Sequence, residues 1–108
     1  MWICLNDGFL SVVADKDSND LLVRARRKVD LANVCSETEI QFTPNRDYAW
    51  RTYVNREAFK RIMMDRIDKI NYPNFKDSIS PASNDLHDLY LNFWSEHAEY
   101  QDDYPKRP

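Results

Sequence analysis

Apolar and polar positions alternate through the opening stretch of the chain. Trp2–Leu5 and Phe9–Ala14 are two runs of β-forming residues separated by Asn6-Asp7-Gly8. Successive strand residues point to opposite sides, so Ile3, Leu5, Leu10, Val12 and Ala14 share one face. Trp2, Cys4, Phe9, Ser11 and Val13 share the other. Both faces are largely apolar, which predicts a sheet covered on both sides. An Asp-Gly pair between such runs predicts a type I′ hairpin, with Asp7 and Gly8 central at positive φ and Asn6 opposite Phe9.

The alternation continues after a polar turn at residues 15–20. Leu21–Arg27 reads as a third strand, with Leu21, Val23 and Ala25 on one side and Leu22, Arg24 and Arg26 on the other. Asp30 is placed to cap a short helix over Leu31–Cys35. Glu39–Thr43 reads as a short strand with Ile40 and Phe42 inward. Tyr48–Val54 reads as a longer one in which Tyr48, Trp50, Thr52 and Val54 alternate with Ala49, Arg51 and Tyr53. From Asn55 the period changes. Phe59, Ile62, Met63, Ile67 and Ile70 recur at spacings of three and four, predicting a helix capped by Asn55 and running to about Asn71.

Tyr72-Pro73 ends that helix, because the residue before proline disfavours the α region. A last helix is predicted from about Asp85 to Gln101, with Leu86, Leu89, Tyr90, Phe93, Trp94 and His97 along one face. The order β-β-β-α-β-β-α-α does not alternate strand and helix. It predicts the α+β class: a mostly antiparallel sheet with an N-terminal hairpin and two longer C-terminal helices. Residues 1–101 are expected to form a single α+β domain, and 102–108 a frayed C-terminal tail.

Composition narrows the chemistry. The single glycine, Gly8, is used in the hairpin, which leaves no Gly-rich loop to cradle a phosphate. No apolar run is long enough to span a bilayer, and no basic segment precedes an apolar stretch at the start, so a cytoplasmic protein without membrane contact is expected. Cys4 and Cys35 are isolated and expected to be reduced. His87 and His97 lie ten residues apart, and no metal-ligand spacing occurs, so no metal or cofactor is expected. Cys35 follows a short helix rather than preceding one, and Ser11 has no histidine nearby in sequence; no catalytic residue is assigned.

Charge is unevenly spread. Residues 23–76 hold 12 Lys and Arg against 7 Asp and Glu, whereas residues 77–105 hold 7 acidic residues and no Lys or Arg. Either the acidic last helix neutralises the basic part, or the basic part faces an anionic partner. Strand parity puts Arg24 and Arg26 on one face of the third strand, and Arg51 and Tyr53 together on the fifth. Should the two strands share a sheet and a face, Arg24, Arg26, Arg51 and Tyr53 form a candidate binding surface for phosphates, carboxylates or stacked bases.

Several segments together resemble a known family. Met1-Trp2-Ile3, Phe9–Ala14, Leu21-Leu22-Val23-Arg24-Ala25-Arg26, Thr43-Pro44, Asp47-Tyr48, Arg51, Ile70–Lys76 with its Tyr-Pro-Asn-Phe-Lys, and His87-Asp88 with Tyr90 and Trp94 are similar to a family of small uncharacterised bacterial and phage proteins. The resemblance implies a bacterial or phage setting and carries over no catalytic residue. Small phage-associated proteins without enzyme motifs are often host-interaction or anti-defence proteins. The expected function is therefore a non-enzymatic interaction protein that binds and inhibits or modulates a host protein or ribonucleoprotein complex, an anti-CRISPR inhibitor being its sharpest form. The alternatives are a nucleic-acid- or nucleotide-binding domain that uses the arginine face, and a small hydrolase with an unrecognised site.

Overall fold

In the computed structural model, which describes residues 1–101, five antiparallel strands form one sheet: β1 (Trp2–Leu5), β2 (Gly8–Ala14), β3 (Leu21–Ala25), β4 (Gln41–Phe42) and β5 (Trp50–Val54). Their order across the sheet is β1-β2-β3-β5-β4. Three α-helices accompany them: α1 (Lys28–Ala32), α2 (Arg56–Asp68) and α3 (Asn84–Ala98). The α+β class, the antiparallel sheet, the opening hairpin and the two longer C-terminal helices are as the hydrophobic pattern predicts. The tail at 102–108 lies outside the described residues.

Both sheet faces carry a core, as their apolar character requires. On the first, Leu10, Val12, Val23 and Ala25 are buried under Leu31 of α1 and Phe59 of α2. On the second, Phe9 packs with Tyr48, Ile79 and Tyr90, and its ring meets that of Phe93 edge-on at 5.7 Å. That second cover is partial. Helix α3 and the Phe75–Ile79 segment reach Phe9 on β2, while Tyr53 at the other side of the sheet remains 44% exposed.

Four local expectations are corrected. First, Leu5 pairs with Gly8 and Cys4 with Phe9, so the central turn residues are Asn6 and Asp7. Gly8 opens β2 without a positive φ, and its role is different: a Cβ there would lie 2.8 Å from the Cβ of Asp30. Second, Asp30 is no cap. It sits inside α1, buried, where its Oδ2 accepts a hydrogen bond from the Phe9 N–H at 3.2 Å. Third, the strand expected over Glu39–Thr43 is confined to Gln41–Phe42, Glu39 closing a 3-10 turn over Glu37–Glu39, and Phe42 faces solvent, 56% exposed, against Trp50 at 4.4 Å. Fourth, β5 begins only at Trp50, so Tyr48 escapes the strand's alternation. Trp50 and Val54 pack on the first core while Tyr48 is buried in the second.

Helix α2 is capped as expected, the Asn55 side chain accepting from the N–H groups of Glu57 and Ala58. Its stripe is buried only in its first half. Phe59, Ile62 and Met63 pack on the core, whereas Ile67 is exposed, as is Ile70 just beyond the helix. Among the described residues, no helix is long and apolar enough to cross a membrane.

Candidate functional site

The antiparallel pairing of β3 with β5 decides the fate of the arginines. Leu22 pairs with Tyr53 and Arg24 with Arg51, so Arg24, Arg51 and Tyr53 do lie on one face. It is the second face, on the half that α3 leaves open. Like charges at directly opposed positions repel one another. Here no carboxylate offsets them: among the described residues none lies within 4 Å of Arg24, Arg46 or Arg51.

The two guanidiniums are held by neutral partners. Arg24 Nη2 donates to Ser11 Oγ at 2.8 Å, and Arg51 Nη2 donates to the Tyr48 carbonyl at 3.3 Å. The Nε of each is buried without a partner. Burial, reinforced by the neighbouring Arg46 and Arg24 charges, holds the Arg51 guanidinium below its ordinary value. The side chains line an open depression of about 410 Å³. Its walls also include Leu22, Tyr53, Arg46, Asp47 and the Asp15-Lys16-Asp17 turn.

Arg26 goes elsewhere. It lies just past the end of β3, where its Nη1 pairs with Asp47 Oδ1 at 3.0 Å and its guanidinium stacks 4.3 Å over the Tyr48 ring. Of the four residues marked by strand parity, the structure therefore gathers three. Arg46 joins them although it sits in a turn, where no periodicity marks it. Its only signal in the sequence is that the turn leads into the strand bearing Arg51. Among the described residues, no residue of α3 lines this site, and the ion pair α3 makes across the fold joins Asp85 to Arg27.

Two further cavities flank α3. One, of about 320 Å³, is walled by Trp2, Phe9, Tyr48 and Phe93 and bordered by Asp30 and the Arg27–Asp85 pair. Burial raises the Asp30 carboxyl above its usual range, against the lowering influence of the Phe9 N–H and Arg27. The other, of about 310 Å³, has Cys4 and His97 among its lining residues. A hydrolase reading would look to these two, and their chemistry is unfavourable. Burial raises the Cys4 thiol, so thiolate is scarce, and His97 Nδ1 is engaged with the Phe93 carbonyl. Ser11, the other candidate nucleophile, is buried and binds Arg24. Among the described residues no group of three His, Cys, Asp or Glu is placed to hold a metal ion.

Compared with protein-family models, curated proteins and solved structures, the chain finds no match.

Proposed function

We propose that this protein is a non-enzymatic binding module that grips an anionic group of a macromolecular partner on the open half of its sheet. In the phage or mobile-element setting that its motifs imply, the partner is a host macromolecule in the cytoplasm, a defence ribonucleoprotein being the sharpest form, and binding inhibits or modulates it. One observation carries the reading: Arg24 and Arg51 are opposed across β3 and β5, half-buried, and among the described residues neither pairs with a carboxylate. The fold holds the pair through Ser11, the Tyr48 carbonyl and the Tyr48 ring, but leaves the two opposed charges without a counter-ion. Desolvated like charges are costly, and a partner's anion removes the cost at the moment of binding.

The remaining surface agrees with a binding role. Tyr53 stands exposed beside the arginines, and aromatic residues and arginine are enriched where interfaces concentrate their energy. The test is capture from a bacterial lysate by immobilised protein, with the Arg24→Ala/Arg51→Ala variant in parallel and elution by rising salt. The wild type should retain a specific partner that the folded variant loses. Equal capture by both would remove the arginines from the binding surface.

A further inference from the structure

The depression is not uniformly basic, and its polarity narrows the ligand. Resting on the anion-binding reading above, we propose that the site takes a nucleotide, free or within a single strand, with its base stacked on Tyr53 and its phosphate held between Arg24, Arg51 and Arg46.

Strand register supplies the geometry. The Arg24–Arg51 pair and the Leu22–Tyr53 pair are two residues apart along their strands. At about 3.3 Å per residue that is roughly 7 Å, within the reach between a base and the phosphate of its own nucleotide. The two ends of the depression differ in charge. Arg46 lies at the Arg51 end, in the turn that leads into β5, beside Asp47, whose carboxylate is paired with Arg26. Asp15, Lys16 and Asp17 lie at the Tyr53 end, in the turn that joins β2 to β3, so that end is net acidic by one charge while the arginine end stays net basic. Asp15 is engaged in its own turn, accepting from the Asp17 N–H and the Ser18 hydroxyl. Asp17 is the carboxylate left to accept from an exocyclic amino group of a base.

An acidic or phosphorylated peptide would satisfy the arginines but has no use for the opposite end. The net-acidic Asp15-Lys16-Asp17 rim repels its further charges, and its backbone offers nothing flat for the exposed Tyr53 ring. Duplex DNA fits poorly for the same reason. It presents a charge about every 1.7 Å along its axis and would lay phosphates on Asp15 and Asp17 as well as on the arginines. A single strand can splay one base onto an aromatic ring, and ring stacking of this kind tolerates any base. The open half-sheet leaves the strand room to enter and leave.

Fluorescence anisotropy with a labelled 12-nucleotide single strand tests this. Competitors are the same sequence as a duplex, each nucleoside monophosphate, inorganic phosphate and a phosphoserine peptide. The strand should bind, with log K falling against log salt with a slope of about −0.7, as one neutralised phosphate requires. Arg24→Ala/Arg51→Ala should weaken binding at least tenfold. Tyr53→Ala should weaken it by roughly five- to a hundredfold, and Tyr53→Phe, which keeps the ring, should restore most of it. Inorganic phosphate should compete weakly and be indifferent to Tyr53→Ala. A monophosphate competing as well as the strand identifies a free nucleotide as ligand; competition by the strand alone identifies nucleic acid. Arginine-dependent binding of the phosphoserine peptide without binding of any nucleotide overturns the nucleotide assignment while leaving the anion site standing. No arginine-dependent binding of any of these anions overturns both.

Discussion

Gly8 and Asp30 meet where no side chain would fit. A Cβ at Gly8 would lie 2.8 Å from the Cβ of Asp30 and 2.9 Å from its Cα, so α1 itself would have to move. That close approach lets the Asp30 carboxylate reach the Phe9 N–H and seat α1 on β2. Gly8→Ala should therefore destabilise the protein by about 1–3 kcal/mol through overpacking, and Gly8→Val by more. Urea denaturation measures it. An unchanged midpoint for Gly8→Ala would mean that the helix yields freely.

Asp30 also sets a pH dependence. Burial raises its folded-state pKa above the ordinary value of 3.8, so between those two values the folded state binds more protons than the unfolded state. Stability due to this group is thus greatest at low pH and falls as pH rises through that window. Asp30→Asn keeps an acceptor for the Phe9 N–H and removes the buried charge. It should match or exceed the wild type at pH 7, with the gap closing toward pH 4. Asp30→Ala strands a buried N–H and should cost about 1–3 kcal/mol. Thermal melts of the three proteins across pH separate these effects.

The hairpin tip is clamped from two sides. Arg66 of α2 forks onto both oxygens of Asp7, at 2.8 and 3.0 Å, and also donates to the Asn33 carbonyl, while Asn33 donates to the Asp7 carbonyl. The Arg66 side chain is only 17% exposed. A double-mutant cycle of Asp7→Ala and Arg66→Ala should give a coupling of at least about 1 kcal/mol, above the range of exposed pairs. A coupling near zero would make the fork a surface ornament.

The thiols are free. Cys4 is exposed and its thiol is raised by partial desolvation, whereas half-buried Cys35 is raised to about 11 with Glu39 contributing. Alkylation of Cys35 in the native protein by iodoacetamide should be slow at pH 8 and still climbing as pH approaches 11, while exposed Cys4 should react faster. In denaturant both thiols should react at ordinary rates. A fast native reaction of Cys35 at pH 8 would point to a thiolate that burial does not suppress.

Local pattern carried most of the fold and part of the site. Alternation placed Ile3, Leu10 and Val12 on one face and Phe9 and Ser11 on the other, which is how they stand. The hairpin register slipped because both Asn6-Asp7 and Asp7-Gly8 make acceptable turns. A contact from Asp30, far along the chain, bears on that choice, and no short window contains it. Parity likewise marked Arg24, Arg51 and Tyr53. That Arg24 and Arg51 oppose one another depends on β3 lying beside β5, a neighbour relation that skips a strand in sequence order. Arg46 was invisible because turn residues carry no period. Arg26 stands apart from them because β3 ends at Ala25, which frees it to pair with Asp47.

The central claim is that Arg24 and Arg51 are held for an anion and not for the fold. Thermal melting of the wild type and of Arg24→Met/Arg51→Met, in sodium chloride and in sodium phosphate at equal ionic strength, tests it most directly. Methionine keeps the packing of the stems and removes the opposed charges. In chloride the variant should lie within about 1 kcal/mol of the wild type, because relief of repulsion offsets the lost contacts with Ser11 and Tyr48. In phosphate the wild type should gain more than the variant, by the linkage between binding and stability. A variant markedly less stable in chloride, with both proteins gaining equally in phosphate, would contradict the account and make the two arginines internal struts.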